Sequence, residues 1–333
     1  MQRQLGDPGA AVRTVALLLG VLGITLGSVP PTYADAINCG AVLGPGGRFQ
    51  LEQDLTCPGV RGAFTLRDGA VLDLNGHRVT CSNTTIGCVV LTGEGAQLRN
   101  GTVANALHEL IVLEGTGGHT VRNVTSSPPI DGNIRITSDN NRLINVIARS
   151  GLSPAFSILG HNNRLTHSQA GCSIGIPSCI AISGDGNHLS DNIVSADSGF
   201  RGAGIDIAGH NNQLRRNHIT NTSGPGIVVE ETGNENHLSD NIVSVASGFF
   251  GGIDIAGHNN RLRRNHVTNT SGLGIVVEGT GNDLRFNLAH GMSFDLVDTN
   301  GDCTHNTWKH NIFETSNPPC IGAGRGLGAL PVN

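Results

Sequence analysis

The chain has 333 residues, a net charge of −5 and an aromatic content of 3 %. So few large rings exclude a core of interlocking aromatic side chains, and the charge gives no electrostatic support for a nucleic-acid partner. Glycine at 48 residues, set among many Asn, Thr, Ile and Val, suits short strands joined by many turns.

Residues 1–36 read as a secretory signal peptide: Arg3 and Arg13 lead an apolar run from Val15 to Leu26, and the small residues of "TYADA" follow. No later run of about 18 apolar residues exists, so no membrane span is expected and the product is expected to be secreted or periplasmic. Residues 37–66 are then expected to cap the fold, 67–320 to form its body, and 321–333 to be a flexible Gly-rich tail.

Eight cysteines, Cys39, Cys57, Cys81, Cys88, Cys172, Cys179, Cys303 and Cys320, remain after the signal segment. An even number in an exported chain points to disulfides, and pairing in sequence order is the expectation among the possible connectivities. No pair has the CxxC spacing of a zinc or thioredoxin-like site.

From residue 98 onward the chain repeats. An apolar anchor follows each Gly/Asn turn at Leu98, Val121, Leu143, Leu165, Leu189, Leu214, Leu238, Leu262, Leu284 and Trp308, in steps of 22 to 25 residues. Three residues past the anchor stand Asn192, Asn217, Asn241, Asn265, Asn287 and Asn311. A period in the low twenties marks a solenoid. Each unit carries short alternating stretches such as "GIDIAG" and "LRRNHI" but no helical stretch, so the expected fold is an all-β, single-domain parallel β-helix. Ten or eleven coils at a ~4.8 Å step make a rod roughly 50 Å long, expected as a monomer. The asparagine column is expected inside, each amide satisfying the next.

The repeated "GI-x-I-x-G-x-NN-x-L-x-x-N-x-I", over about Cys57 to Phe313, resembles the parallel β-helix repeat family, the pectate-lyase-like group of carbohydrate-binding and sugar-hydrolase domains. The resemblance implies a right-handed coil, which agrees with the handedness of parallel crossovers. It implies a polysaccharide partner, across activities that include lyases, hydrolases, epimerases and binding proteins. The paired "DD" and "G-H-G" of the polygalacturonases and the "DPH" of the alginate epimerases are absent.

Two stretches, Gly204–Asn234 and Gly252–Asn282, are nearly the same sentence 48 residues apart, two periods of 24. Strand alternation turns Asp206 and Asp254 outward, in a column Arg135, Ser157, Ala181, Asp206, Val228, Asp254, Val276, Asp295. The next outward column carries Ala208, Glu230, Ala256 and Glu278, so the acids zigzag along one face with neighbours about 8 Å apart. Asp206, Glu230 and Asp254 are the candidate catalytic residues and the candidate oxygen ligands of a Ca²⁺ ion, the one cofactor such a stripe suggests. Glu278 and Asp295 extend the stripe as substrate contacts. Connections leading into this face carry Phe200, Arg201, Phe249 and Phe250, expected as groove walls, and His210 and His258 follow the acidic strand as acid/base candidates.

Other charges read as structural. Asp191, Arg216, Asp240 and Arg264, two residues past the anchor, alternate in sign and are expected to pair between coils. His218 and His266 lie two coils apart, too far for a shared metal.

Two readings follow. One is a secreted protein that binds an extracellular polysaccharide along the acidic groove and cleaves it. Hydrolysis would use an acid pair ~6.5–9.5 Å apart; a lyase would use Ca²⁺ and a base such as Arg201, since the only lysine, Lys309, is far along the rod. The other is a non-catalytic exported structural or surface-binding protein, favoured by the scarcity of Trp and Tyr.

Overall fold

The computed structural model describes residues 37–322, except 60–61, 83–86, 105–108, 128–132, 174, 197–201, 223, 246–250 and 270–271. The expected signal segment and residues 323–333 of the expected tail lie outside the described residues. Each turn of the chain lays down three short strands, as in Ala203–Ile207, Gln213–Arg215 and His218–Thr222. The first pairs in parallel with Ser178–Ile182 behind it and Ile227–Val229 ahead. The second pairs with His188–Ser190 and His237–Ser239, and the third with Ile193–Ala196 and Ile242–Val245. The result is a right-handed parallel β-helix of about 11 turns, with three faces; short rungs at the ends bring the first face to 13 strands.

The coil starts earlier than the sequence suggests. Ala41–Leu43, Arg48–Gln50 and Leu55–Pro58, placed in the cap by sequence, pair with the strands of the next turn on all three faces. At the other end Ile321 is buried in the core rather than part of a free tail. Among the described residues no helix is long and apolar enough to cross a membrane.

Alternation builds the core. Ile205, Ile207, Ile227, Val229, Ile253 and Ile255 stack inward on the first face, and Leu214, Leu238, Leu262 and Leu284 on the second. The bends between faces are specified just as closely. Between the second and third faces Asp191, Arg216, Asp240 and Arg264 each take a positive φ of 52 to 59°. The next residue in each unit, Asn192, Asn217, Asn241 and Asn265, is buried. Every buried amide Nδ2 there donates to the Oδ1 of the next coil at 2.9–3.0 Å. It also donates to a leucine carbonyl of the preceding coil. The ladder expected from sequence is therefore present, and it runs on through Asn287 to Asn311.

The bend between the first and second faces accounts for the "HNN" triplets residue by residue. The third position forms a second buried ladder that the sequence reading did not separate out. It runs Asn141, Asn163, Asn187, Asn212, Asn236, Asn260, Asn282 and Asn306, each backbone N–H donating to the next Oδ1. The middle position takes positive φ, as at Asn162, Asn211 and Asn259, a conformation Asn tolerates better than most residues. The first position closes the backbone of the following coil: His258 Nδ1 accepts the Thr280 N–H at 3.0 Å, and Asn234 Oδ1 accepts the His258 N–H at 2.7 Å.

All eight cysteines pair, in sequence order: Cys39–Cys57, Cys81–Cys88, Cys172–Cys179 and Cys303–Cys320. Two of these bonds join a third-face strand to the first-face strand that follows it, and the other two tie the ends of the rod.

Candidate functional site

The first face presents its outward side chains in register: Ser157, Ala181, Asp206, Val228, Asp254 and Val276 lie in one column. This is the column expected from sequence, up to Val276. It then departs. Gly274, Ile275 and Val276 sit beside Asp295, Leu296 and Val297, so Val297 and not Asp295 continues the column. Asp295 is 1 % exposed, and its carboxylate accepts the backbone N–H groups of Glu314 at 2.7 Å and Thr315 at 3.0 Å. Asp295 is only 19 residues past Val276, whereas the register advances by 21 there and by 22 to 26 in the preceding coils, so the aspartate falls two residues short of the column, at the corner where the earlier coils carry Gly226, Gly252 and Gly274. Asp295 is a structural cap, removed from the stripe.

Asp206 and Asp254 are half-buried despite facing outward. Oδ1 of each is buried with no donor reaching it. Burial is the main cause that pushes Asp206 up to about 6, helped by the charge of Glu230 and a hydrogen bond with it. Asp254 is pushed up to about 7, again by burial first; the charge of Glu278 adds to the shift and the backbone N–H of Gly251 opposes it. The acids thus stand as two Asp–Glu pairs on successive coils. Glu230 stands one coil beyond Asp206, close enough for its charge to raise Asp206 further.

The two copies differ in one informative place. A Cβ on Gly251 would collide with Oδ1 of Asp254; the equivalent position in the first copy is Ala203. Glycine there leaves room for the Asp254 carboxyl against the strand. The alternation of Gly and Ala was visible in the sequence, but which side chain filled the space was not.

The sign of the linkage follows from these directions. Both aspartates bind a proton more tightly folded than unfolded, so they favour the folded state at low pH, and that contribution is lost as pH rises through 6 to 7. Asp254→Asn is therefore expected to be more stable than the parent at pH 8, by about 2 kcal/mol, and equal to it at pH 4. Urea unfolding at the two pH values measures both; a variant less stable at pH 8 would contradict the burial argument.

His210 and His258 are exposed at the adjoining bend. Each spends Nδ1 as an acceptor, from the Asn234 N–H at 3.4 Å and the Thr280 N–H at 3.0 Å. An accepting Nδ1 places the proton on Nε2, so these imidazoles present a donor outward rather than a base. They share a polar hollow with Asp185, Asn211, Glu235 and Asn259. Phe200, Arg201, Phe249 and Phe250 lie outside the described residues. Among the described residues no three His, Cys, Asp or Glu side chains converge to hold a metal ion. On the third face His266 meets not His218 but His290, Nε2 to Nε2 at 3.2 Å, a contact between neighbouring coils that spacing by equal columns did not suggest.

No protein-family model matches the chain, and no curated protein matches it in sequence. Solved structures do share its fold. The A-module of the mannuronan C-5 epimerase AlgE4 of Azotobacter vinelandii superposes with a TM-score of 0.62 at 11 % identity, over 80 % of this chain and 87 % of that one. The A-module of AlgE6 from the same organism gives 0.49 at 13 % identity, over 84 % and 91 %. PfbA, a surface adhesin of Streptococcus pneumoniae, gives 0.38 at 12 % identity, over 75 % and 84 %.

Proposed function

We propose that this chain is an exported β-helix that binds an extracellular polysaccharide on its first face. The observation that carries the reading is the pair Asp206 and Asp254: same column, two coils and so about 10 Å apart, each with an unmet oxygen and a raised pKa. A carboxyl that is protonated near neutral pH both donates and accepts, which suits sugar hydroxyls. Around the two aspartates stand Ala181, Ala208, Val228, Ala256 and Val276, small or β-branched side chains that leave the face flat. Glu230 and Glu278, both exposed, disfavour a polyuronate on this face and favour a neutral glycan. The four disulfides support export. The fold is shared with a module that acts on mannuronan, which supports a carbohydrate role in general terms.

The test is a pH series of binding to a panel of neutral glycans. Binding is expected to weaken tenfold or more as pH rises from 5 to 8, following the loss of the two protons. Asp206→Asn with Asp254→Asn should flatten that profile, and the double alanine variant should abolish binding at every pH. A pH-independent parent, or a double alanine variant that binds undiminished, overturns the reading.

One observation favours a second reading, that the face also cleaves its ligand. Asp254, at about 7, is poised as a general acid at neutral pH. Incubation with neutral and uronic-acid glycans, with and without Ca²⁺, followed by reducing-end assay and by absorbance of unsaturated products, decides between binding alone and hydrolase or lyase action.

A further inference from the structure

The second face carries the opposite charge. Its strands place two columns of side chains outward. The columns continue in register to Thr307 and Lys309. One contains Arg48, Arg142, Arg164 and Arg261; the other contains Arg99, Arg122, Arg215, Arg263, Arg285 and Lys309. Among the described residues of these columns the only acids are Asp73 and Asp283, so ten cations face two anions. Both anions are already engaged, Asp73 by Arg99 at 2.9 Å and Asp283 by Arg285 at 2.6 Å. The sequence reading assigned the arginine pairs to charge alternation between coils. That holds for Arg216 on Asp191 and Arg264 on Asp240, both bidentate. Of the outward arginines beside them, Arg215 also reaches Asp240, at 3.9 Å, whereas no acidic partner is found for Arg263 among the described residues.

Three exposed arginines, Arg122, Arg142 and Arg164, follow one another on successive coils near the middle of this face, and no acidic partner is found for them among the described residues. With Gln97, Arg99 and Thr120, two of them line a shallow hollow of about 300 Å³. Nearer the C-terminal end, the guanidinium of Arg263 lies 5.5 Å from the centre of the Phe286 ring. Phe286 is 46 % exposed and stacks on His310 with ring centres 5.1 Å apart. This aromatic plate at the edge of the cationic face is a second, independent feature that a ligand would use. The field of the arginines is felt locally. Burial is the main cause that holds His188 and His237 below the usual imidazole range, and the charges of Arg164 and Arg261 lower them further.

We infer that the second face is a binding surface for a linear polyanionic polysaccharide, laid along the rod with its anionic groups on the arginine columns and one sugar on the Phe286–His310 plate. It is a different surface from the one proposed above and does not depend on that reading. The geometry favours a glycan over nucleic acid. Cations stand on consecutive coils, ~4.8 Å apart, from Arg99 through Arg122 and Arg142 to Arg164 and again from Arg261 and Arg263 through Arg285 to Lys309, two runs that suit a single extended chain; a duplex carries one charge per ~1.7 Å of axis and curves away from a flat sheet. A single-stranded nucleic acid asks for aromatic platforms at successive nucleotides, and this face has one plate at one end. Carboxylate and sulfate groups both fit a guanidinium fork, so the anion's identity is left to the experiment.

The experiment uses the full mature chain with four probes: polygalacturonate, a heparin-type sulfated glycan, dextran, and a single-stranded oligonucleotide. Binding to one of the two polyanionic glycans is expected, weakening steeply with added salt, and dextran should not compete for it. The pattern between the two glycans identifies carboxylate or sulfate as the preferred group. Arg142→Gln with Arg164→Gln should weaken binding tenfold or more, as should Arg261→Gln with Arg263→Gln. Both variants should keep the parent melting temperature, since these side chains are exposed and without acidic partners. Asp206→Asn with Asp254→Asn should leave this binding unchanged, which separates it from any failure of the first-face reading. Absence of binding to both polyanionic glycans at low salt, undiminished binding by both arginine variants, or preference for the oligonucleotide overturns the proposal.

Discussion

Asn241→Leu is expected to destabilise the fold by about 3–6 kcal/mol, read as a large drop in the urea midpoint. The side chain takes part in four hydrogen bonds. Its Nδ2 donates to Leu214 O at 3.0 Å and to Asn265 Oδ1 at 2.9 Å, and its Oδ1 accepts from both the backbone N–H and the Nδ2 of Asn217, each at 3.0 Å. Leucine is close in volume, so packing changes little. What changes is that two donors of Asn217 become buried and unmet and Leu214 O loses one of its donors, at a cost of about 1–3 kcal/mol for each unmet group. Asn311, at the partly exposed end of the same column, should tolerate the same change with a much smaller loss, because water can replace its neighbours. Equal losses at the two positions would mean that the ladder does not act through desolvation.

Gly257→Ala is the second large effect, and its sign is the informative part. At an ordinary exposed site an alanine in place of glycine stabilises by ~0.4–1 kcal/mol, through the unfolded chain. At Gly257 a Cβ would strike the carbonyl oxygens of Gly233 and Glu230 in the preceding coil. Those oxygens are backbone, fixed by the bend. The same obstruction recurs at Gly209 and Gly279. The substitution is therefore expected to cost about 2–4 kcal/mol, in a folded state whose adjacent coils are forced apart. A melting temperature at or above the parent's would show that the bend can relax.

These residues also show what a sequence reader could and could not see. The period, the buried Asn192–Asn311 column and the outward column from Arg135 to Val276 follow from aligning the repeated motif, which holds its place although the advance per coil varies from 22 to 26 residues. Where the repeated motif gives out, alignment fails: Asp295 stands 19 residues past Val276, two short of the observed register, and so occupies a corner instead of the outer face. The Asn141–Asn306 ladder lay in plain view within the "HNN" triplets, but three adjacent polar letters do not announce that one caps, one bends and one is buried. Side-chain reach escaped as well. Nothing in the spacing says that the Asp254 carboxyl would lie against Gly251, or that His266 would meet His290. The cationic second face was written in the sequence as scattered arginines; only the register gathers them into columns.

The charged bend has one more consequence. Asp191, Arg216, Asp240 and Arg264 follow one another on adjacent coils, and the outward column of the first face alternates in the same rhythm, Asp206, Val228, Asp254, Val276. The rod therefore has a parity. Removing the single coil between Arg216 and Arg264 would set two guanidinium groups one above the other and strip Arg264 of its bidentate partner Asp240, while Arg216 kept Asp191. Removing or adding two coils, the 48 residues by which the sequence repeats itself, would return every odd layer to an odd place and every even layer to an even one. Between Asp191 and Arg264 length is therefore quantised in pairs, so coils gained or lost there without strain should come in even numbers.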